Sequence, residues 1–178
     1  MKLPWRDLAP GAGPAISTSL TERETDELRR LAADREVLEV GSAYGYSAVA
    51  MALAGGRIVA VDPHLQLASY EEMQANLGFY NVAARVDIRR GDSRAVLPVL
   101  HDQGGYAFDL VWIDGDHAAE MVTHDVEWAR KLLRPGGTLA CHDYDEDTCP
   151  GVRQALDQIF GGPGTLTDTL AVYGPGEW

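Results

Sequence analysis

Cysteine is scarce in this 178-residue chain: Cys141 and Cys149 are the only two, too few for a disulfide scaffold, and Cys141 sits inside an apolar run where a reduced thiol packs as a small hydrophobe. No apolar run approaches the roughly 20 residues that span a bilayer. The opening Met1-Lys-Leu-Pro-Trp-Arg lacks the apolar centre of a signal peptide, so the expected location is the cytoplasm. Positive charge is also short, 15 Lys and Arg against 27 Asp and Glu, and the formal net charge of -12 repels phosphate backbones and anionic membrane surfaces. Nucleic acid and membrane are therefore excluded as expected partners in favour of small molecules. Internal repeats and low-complexity tracts are missing too, and the length leaves no room for a second domain. With 46% hydrophobic residues the chain can still build one proper core.

Strand-like and helix-like segments alternate from residue 36 onward, the pattern of right-handed βαβ units in a doubly wound, mostly parallel α/β sheet with helices on both faces. Residues 1–20, with Pro4, Pro10, Gly11, Gly13 and Pro14, read as an irregular arm ahead of a single domain over 21–178. Thr21-Glu-Arg-Glu24 forms a capping box, and Leu28, Leu31 and Ala32 give the helix that follows an apolar face. Pro135-Gly-Gly137 is expected to stop a later helix and turn the chain into a fifth strand. Gly151 to Phe160 reads as a helix, and Gly164 to Tyr173 as one or two short strands.

The most informative stretch is Val37-Leu-Glu-Val-Gly-Ser-Ala-Tyr-Gly-Tyr-Ser47 followed by Ile58-Val-Ala-Val-Asp62. Two apolar runs fit neighbouring buried strands joined by a helix from Gly45 to Leu53. Gly41 allows a sharp turn and close approach of a ligand to the backbone. Asp62 closes the second strand, where a carboxylate can accept two hydrogen bonds from vicinal ribose hydroxyls. A nucleoside pocket follows. The loop reads Gly-x-x-x-Gly and not the Gly-x-Gly-x-x-Gly that makes room for a pyrophosphate, and the bulk of Tyr44 opposes a dinucleotide. Glu39 adds negative charge near the loop, which suits a cationic sulfonium amino acid. The ligand these features select is S-adenosylmethionine.

Glu39-Val-Gly-Ser-Ala-Tyr-Gly-Tyr-Ser-Ala48 resembles the first motif of class I S-adenosylmethionine-dependent methyltransferases, above all the catechol and caffeoyl-coenzyme A O-methyltransferases and related macrolide and aminocoumarin sugar O-methyltransferases. The resemblance runs from about Leu20 to Leu156. It implies a seven-stranded sheet with an antiparallel final strand. Arg89-Arg-Gly-Asp-Ser93, after a third strand at Arg85 to Ile88, is similar to the motif whose acid meets the adenine amino group; Asp92 or Ser93 is otherwise a helix N-cap. The donor site expected on these grounds comprises Glu39, Gly41, Ser42, Tyr44, Gly45, Tyr46, Ser47, Asp62, Asp92, Ser93 and Asp114.

Phe108-Asp-Leu-Val-Trp-Ile-Asp114 ends a fourth strand, and His142 and Asp143 fall at the end of the fifth, on the edge that carries Gly41 and Asp62. In the metal-dependent catechol-type enzymes these positions hold oxygen ligands, so Asp114, His142 and Asp143 are the expected metal ligands. Mg²⁺ prefers carboxylates, and the imidazole of His142 suits softer divalent ions, so either the metal differs or the site is weakened; Asp116 or Asp145 are possible compensating ligands. His117 lies three residues after Asp114, where the resemblance places a catalytic lysine, and imidazole can take a hydroxyl proton. The same Asp-Gly-Asp-His also makes a helix-start turn. Catalytic candidates are thus His117, Asp114 and His142. His64, His101 and His124 read as ordinary loop or helix-face residues, and Asp125 as solvated or orienting a histidine. Trp5, Tyr44, Tyr46 and Tyr144 are candidates for an acceptor pocket or for plain packing, and a homodimer is a further source of acceptor contacts. The expected function is transfer of a methyl group from S-adenosylmethionine to a small-molecule hydroxyl, assisted by Mg²⁺ or another divalent cation. The alternatives are a catalytically silent S-adenosylmethionine-binding or regulatory module and, against the glycine spacing, a nicotinamide-dependent oxidoreductase.

Overall fold

The computed structural model describes residues 5–6, 15–104 and 107–177. Near the N-terminus β1 (Trp5–Arg6) pairs antiparallel with β2 (Ile16–Ser17). Ile16 and Leu20 are buried in the same core as the first helix, so the end of the irregular stretch packs against the domain. The capping box then starts α1 (Glu22–Ala32): Thr21 Oγ1 accepts from Glu24 N at 3.1 Å, and Glu24 Oε2 accepts from Thr21 N at 2.8 Å.

The following segments alternate as expected: β3 (Glu36–Val40), α2 (Tyr46–Leu53), β4 (Arg57–Asp62), α3 (Leu67–Phe79), β5 (Val86–Arg90), α4 (Ser93–Asp102), β6 (Phe108–Ile113), α5 (Ala119–Leu132), β7 (Leu133–Cys141) and α6 (Pro150–Phe160). Two short strands, β8 (Thr165–Thr167) and β9 (Leu170–Tyr173), close the chain. One seven-stranded sheet results, ordered β5-β4-β3-β6-β7-β9-β8, parallel throughout except that β9 runs antiparallel to both neighbours.

Successive side chains on a strand face opposite ways, so each strand feeds two cores. Val37, Leu110 and Trp112 pack with Leu28 of α1, Val49 of α2 and Met73 of α3. Leu38, Val111 and Ile113 pack on the other face with Leu97 of α4, Val126 of α5 and Leu156 of α6. This is why the strands read as continuous apolar runs. The expected stop at Pro135 is corrected: α5 ends at Leu132, and Arg134-Pro-Gly-Gly137 lies inside β7. Register against β6 shifts between the pairs Phe108↔Leu133 and Leu110↔Thr138, so the extra residues form a bulge, where a proline without an N–H is tolerated.

Chain order reverses between β3 and β6, which are adjacent. Strand ends splay at such a switch point, leaving a crevice outside their carboxyl ends.

Candidate functional site

At that crevice Asp114 N donates to Val40 O at 2.8 Å, tying the tip of β6 to the tip of β3. Gly41 follows with φ +89°, and a Cβ on it would lie 2.1 Å from Asp114 O, so no other residue fits this crossing. Asp62, at the end of β4, clasps the loop: Oδ2 accepts from Ser42 N at 3.0 Å and Ala43 N at 2.9 Å, and Oδ1 from His64 N at 2.6 Å. Those three bonds occupy most of the roughly four lone-pair positions of a carboxylate. Room remains for about one further donor, where the strand-end position by itself had suggested two.

A cleft of about 520 Å³ opens here, lined among others by Tyr44, Asp62, Asp92, Ser93, Asp114 and Asp125, within the usual size of a small-ligand pocket. Asp92 is the N-cap of α4, accepting from Arg94 N at 2.9 Å, and the Arg94 guanidinium holds its carboxyl below the usual range. Capping and exposure to the cleft therefore coexist at Asp92. His64 departs from its expected role: it is 1% exposed, its Nδ1 lies 3.1 Å from Ser69 Oγ, and burial lowers its pKa, so a neutral ring buttresses the backbone beside Asp62. Asp125 is likewise buried, not solvated, and burial raises its pKa.

Glu39 lies beneath the glycine loop and lines neither this cleft nor the next. It is fully buried; Ser47 Oγ donates to its Oε1, while Oε2 has no partner. Burial, with Asp114 and Asp62 nearby, pushes its carboxyl up to about 8. Gly45 forms the left-handed N-cap of α2, and the Tyr46 hydroxyl is 3.2 Å from Thr25 Oγ1.

A second cleft of about 460 Å³ adjoins the first and shares Gly41, Ala43, Tyr44 and Asp114 with it. His117, His142, Asp143 and Cys149 line this side. His142 Nδ1 is 3.2 Å from Asp143 Oδ1 and 3.4 Å from Asp114 Oδ1, and His117 Nε2 is 3.2 Å from Asp143 Oδ2 and 3.8 Å from Asp114 Oδ1. These are ion-pair distances without hydrogen-bond geometry: both ring nitrogens are buried with no hydrogen-bond partner. Contact with Asp114 and Asp143 pushes His117 up to about 10. For His142, burial opposes the charge, but Asp114, Asp143 and Glu24 outweigh it and push the ring up to about 12. Asp143 moves the other way, its carboxyl held low by the two imidazoles against the opposing effect of burial.

One ligand atom from each of Asp114, His142 and Asp143 lies within 4.8 Å of the others, and His117, Asp143 and Cys149 form a second such group. A buried ring nitrogen facing two carboxylates, itself unpartnered, fits a bound cation. Asp116 and Asp145 join no such group among the described residues: Asp116 Oδ1 accepts from Ala118 N at 2.9 Å, the expected helix-start turn, and Asp145 pairs with Arg153 at 2.6 Å. Of the expected aromatic residues, Tyr44 lines both clefts and Tyr46 the second, whereas Tyr144 is core packing with its hydroxyl on Asp157. The side chain of Trp5 lies outside the described residues.

Two members of the second cleft were not expected. Glu24, read only as half of a capping box, reaches His142 Nε2 at 3.3 Å, and Cys149 Sγ lies 3.2 Å from His117 Nδ1. Nothing local signals either contact, which join residues 118 and 32 positions apart.

Fold and crevice together define a Rossmann-like methyltransferase, and a family model for a methyltransferase domain matches residues 38–144. The chain belongs to that methyltransferase-domain family. It is 31% identical over 144 residues to a catechol O-methyltransferase of Niastella koreensis, covering 79% of this chain and 63% of that protein. A catechol O-methyltransferase of Mycobacterium tuberculosis is 27% identical over 199 residues, covering 94% of this chain and 86% of that protein. Among solved structures, the O-methyltransferase TomG from Streptomyces achromogenes, involved in tomaymycin synthesis and in complex with SAM, aligns with TM-score 0.69 and 25% identity over 82% of this chain and 71% of that one. An O-methyltransferase from Bacillus cereus in complex with SAH shares the fold at TM-score 0.68 and 23% identity, covering 82% and 72%. These relatives favour neither a silent module nor a nicotinamide enzyme. No helix among the described residues is long and apolar enough to cross a membrane.

Proposed function

We propose that this chain moves the methyl group of S-adenosylmethionine to the hydroxyl of a small molecule, with a divalent cation held by Asp114, His142 and Asp143. The observation that carries this reading is the meeting of two clefts at Gly41 and Asp114: one floored by the Asp62-clasped glycine loop, the other by an imidazole and carboxylate cluster. The relatives' names, catechol O-methyltransferase above all, support the same chemistry. Methyl transfer needs a donor on one side, an acceptor on the other and a shared boundary for the reacting atoms.

In this reading Asp62 accepts from the donor's ribose, Asp92 and Ser93 meet its base, and Gly41 to Ser47 carry the sulfonium amino acid across to the second cleft. The Glu39 carboxyl, held protonated up to about pH 8 by burial, would ionise more readily with a cation above the loop. The carbon leaves sulfur as a C–O bond forms in line behind it, the sulfonium becomes a thioether, and the hydroxyl proton passes to His117 Nε2. Most of the acceleration comes from alignment, since fixing donor and acceptor removes much of the entropic barrier. A bound divalent cation supplies a lowered hydroxyl pKa and a fixed direction for the oxygen. His117 can serve as a base only when positive charge offsets Asp114 and Asp143; otherwise these carboxylates keep its proton in place. A second copy of the chain is proposed to complete the acceptor cleft, checked by light scattering.

Calorimetry with S-adenosylmethionine, paired with product assays on catechols and sugars, tests the division of labour. Asp62→Ala should weaken donor binding about 10- to 100-fold through lost hydrogen bonds to a charged acceptor. Asp143→Ala should abolish cation-stimulated turnover with donor affinity little changed. Equal loss of donor affinity in both variants contradicts the assignment, and tight donor binding without transfer to any acceptor returns the silent module.

A further inference from the structure

Resting on that reading of the second cleft, we propose that the cation site at the tips of β6 and β7 is built for a d-block divalent ion and selects against Mg²⁺, with Asp114, Asp143 and His142 Nδ1 as ligands and Glu24 as the positioning residue behind the imidazole.

Four observations carry this. First, His142 is 3% exposed and its Nδ1 has no hydrogen-bond partner, though buried polar atoms almost always have one. That nitrogen lies 3.2 and 3.4 Å from two carboxylate oxygens, where a cation could displace its proton and take its lone pair. Second, the spacing is that of a coordination shell. With metal–ligand bonds of about 2.1 Å, neighbouring ligands lie about 3.0 Å apart on an octahedron and about 3.4 Å apart on a tetrahedron. The 3.2 and 3.4 Å separations of His142 Nδ1 from Asp143 and Asp114 fall in that interval.

Third, the back of the ring is secured. Glu24, 1% exposed, lies 3.3 Å from His142 Nε2. It cannot swing away, because Oε1 accepts from Thr169 N and Oγ1, both at 2.8 Å, and Oε2 from Thr21 N at 2.8 Å. A carboxylate on the far nitrogen fixes the tautomer that presents the near one to a metal, the usual outer arrangement of metal-binding histidines. Fourth, one of the three donors is an imidazole nitrogen, a poor ligand for Mg²⁺, which takes oxygen and retains water. Imidazole suits Fe²⁺, Ni²⁺, Cu²⁺ or Zn²⁺, Mn²⁺ is the weakest-binding ion of that d-block series and so the most stringent probe of it, and the adjoining His117 and Cys149 extend the cluster with nitrogen and sulfur.

The test uses the 178-residue chain stripped with a chelator. Mn²⁺ is titrated in and the free ion followed by electron paramagnetic resonance, with Mg²⁺ as competitor; Co²⁺ is added separately for its visible absorption. The expected result is one Mn²⁺ per chain, bound at least tenfold more tightly than Mg²⁺, and a Co²⁺ spectrum indicating nitrogen ligation. His142→Asp should shift the Mn²⁺ to Mg²⁺ affinity ratio towards Mg²⁺ by about tenfold or more. Glu24→Gln should weaken Mn²⁺ binding about 10- to 100-fold, with far-ultraviolet dichroism as the fold control. Equal or tighter binding of Mg²⁺ to the parent chain overturns the proposal, as does Mn²⁺ binding no better than that of Asp143→Ala. Should either variant misfold, the parent's affinity ratio alone decides. Methyl transfer with Mg²⁺ preferred sinks the metal assignment and leaves the function; the expected ratio without any transfer does the reverse.

Discussion

Ionising Glu39 is costly, since it is wholly buried beneath the glycine loop with one oxygen unpartnered. Its folded pKa, about 8, lies above the ordinary 4.5. Between those values the folded chain holds a proton that the unfolded chain has released. Stability is therefore full below the lower value and falls as pH rises to the upper one. Glu39→Gln keeps an acceptor for Ser47 and cannot ionise, so its stability relative to the parent should grow with pH. Thermal melts at pH 5 and pH 9 check this; the expected relative gain is on the order of a few kcal/mol, and a constant difference would show that Glu39 titrates normally. The two loop glycines should also separate. Gly41→Ala drives a Cβ into the Asp114 carbonyl at 2.1 Å, whereas Gly45→Ala meets the flexible Met73 side chain at 2.8 Å. The first should cost about 3 kcal/mol or more and the second clearly less, as read from urea midpoints.

At the scale of elements, α1 links its own capping box to the chemistry of the second cleft. The Thr21 hydroxyl donates to Asp168 at 2.7 Å, fastening the start of the helix to the turn between β8 and β9. Thr21→Ala should cost about 1 kcal/mol. Hydrogen exchange should then rise at the first turn of α1, around Glu24, while α2 and the glycine loop stay protected; uniform acceleration across both helices would refute this local role. The capping box was legible because its partners are three residues apart. The contact from Glu24 to His142 was not, because it depends on how α1 lies against the ends of β7 and β9. Position within β7 also hid the true place of Pro135-Gly-Gly137, since a helix stop and a strand bulge use the same residues.

For the whole molecule, a ligand that binds only the folded state stabilises it by mass action. S-adenosylmethionine at about 100 times its Kd should add about 2.7 kcal/mol and raise the melting temperature by about 7 °C for a chain of this length. NAD at the same concentration should leave it unmoved; a comparable shift with NAD would favour the nicotinamide reading over the glycine-spacing argument.

The alternation of strands and helices, the place of the crevice and the strand-end positions of Gly41, Asp62, Asp114 and Asp143 follow from the amino-acid sequence, whereas seven strands were implied only by the resemblance and their order came with the structure. Apolar periodicity sets the strands, short-range breakers set their ends, and a doubly wound sheet brings those ends to one edge. Tertiary structure alone decided what each end group touches. It buried His64 and Asp125, spent most of Asp62's acceptor capacity on the backbone, placed Glu39 under the loop, and set Glu24 and Cys149 behind the two histidines. Those outcomes depend on packing between segments far apart in the chain, where side-chain volume and desolvation act and local pattern carries no information.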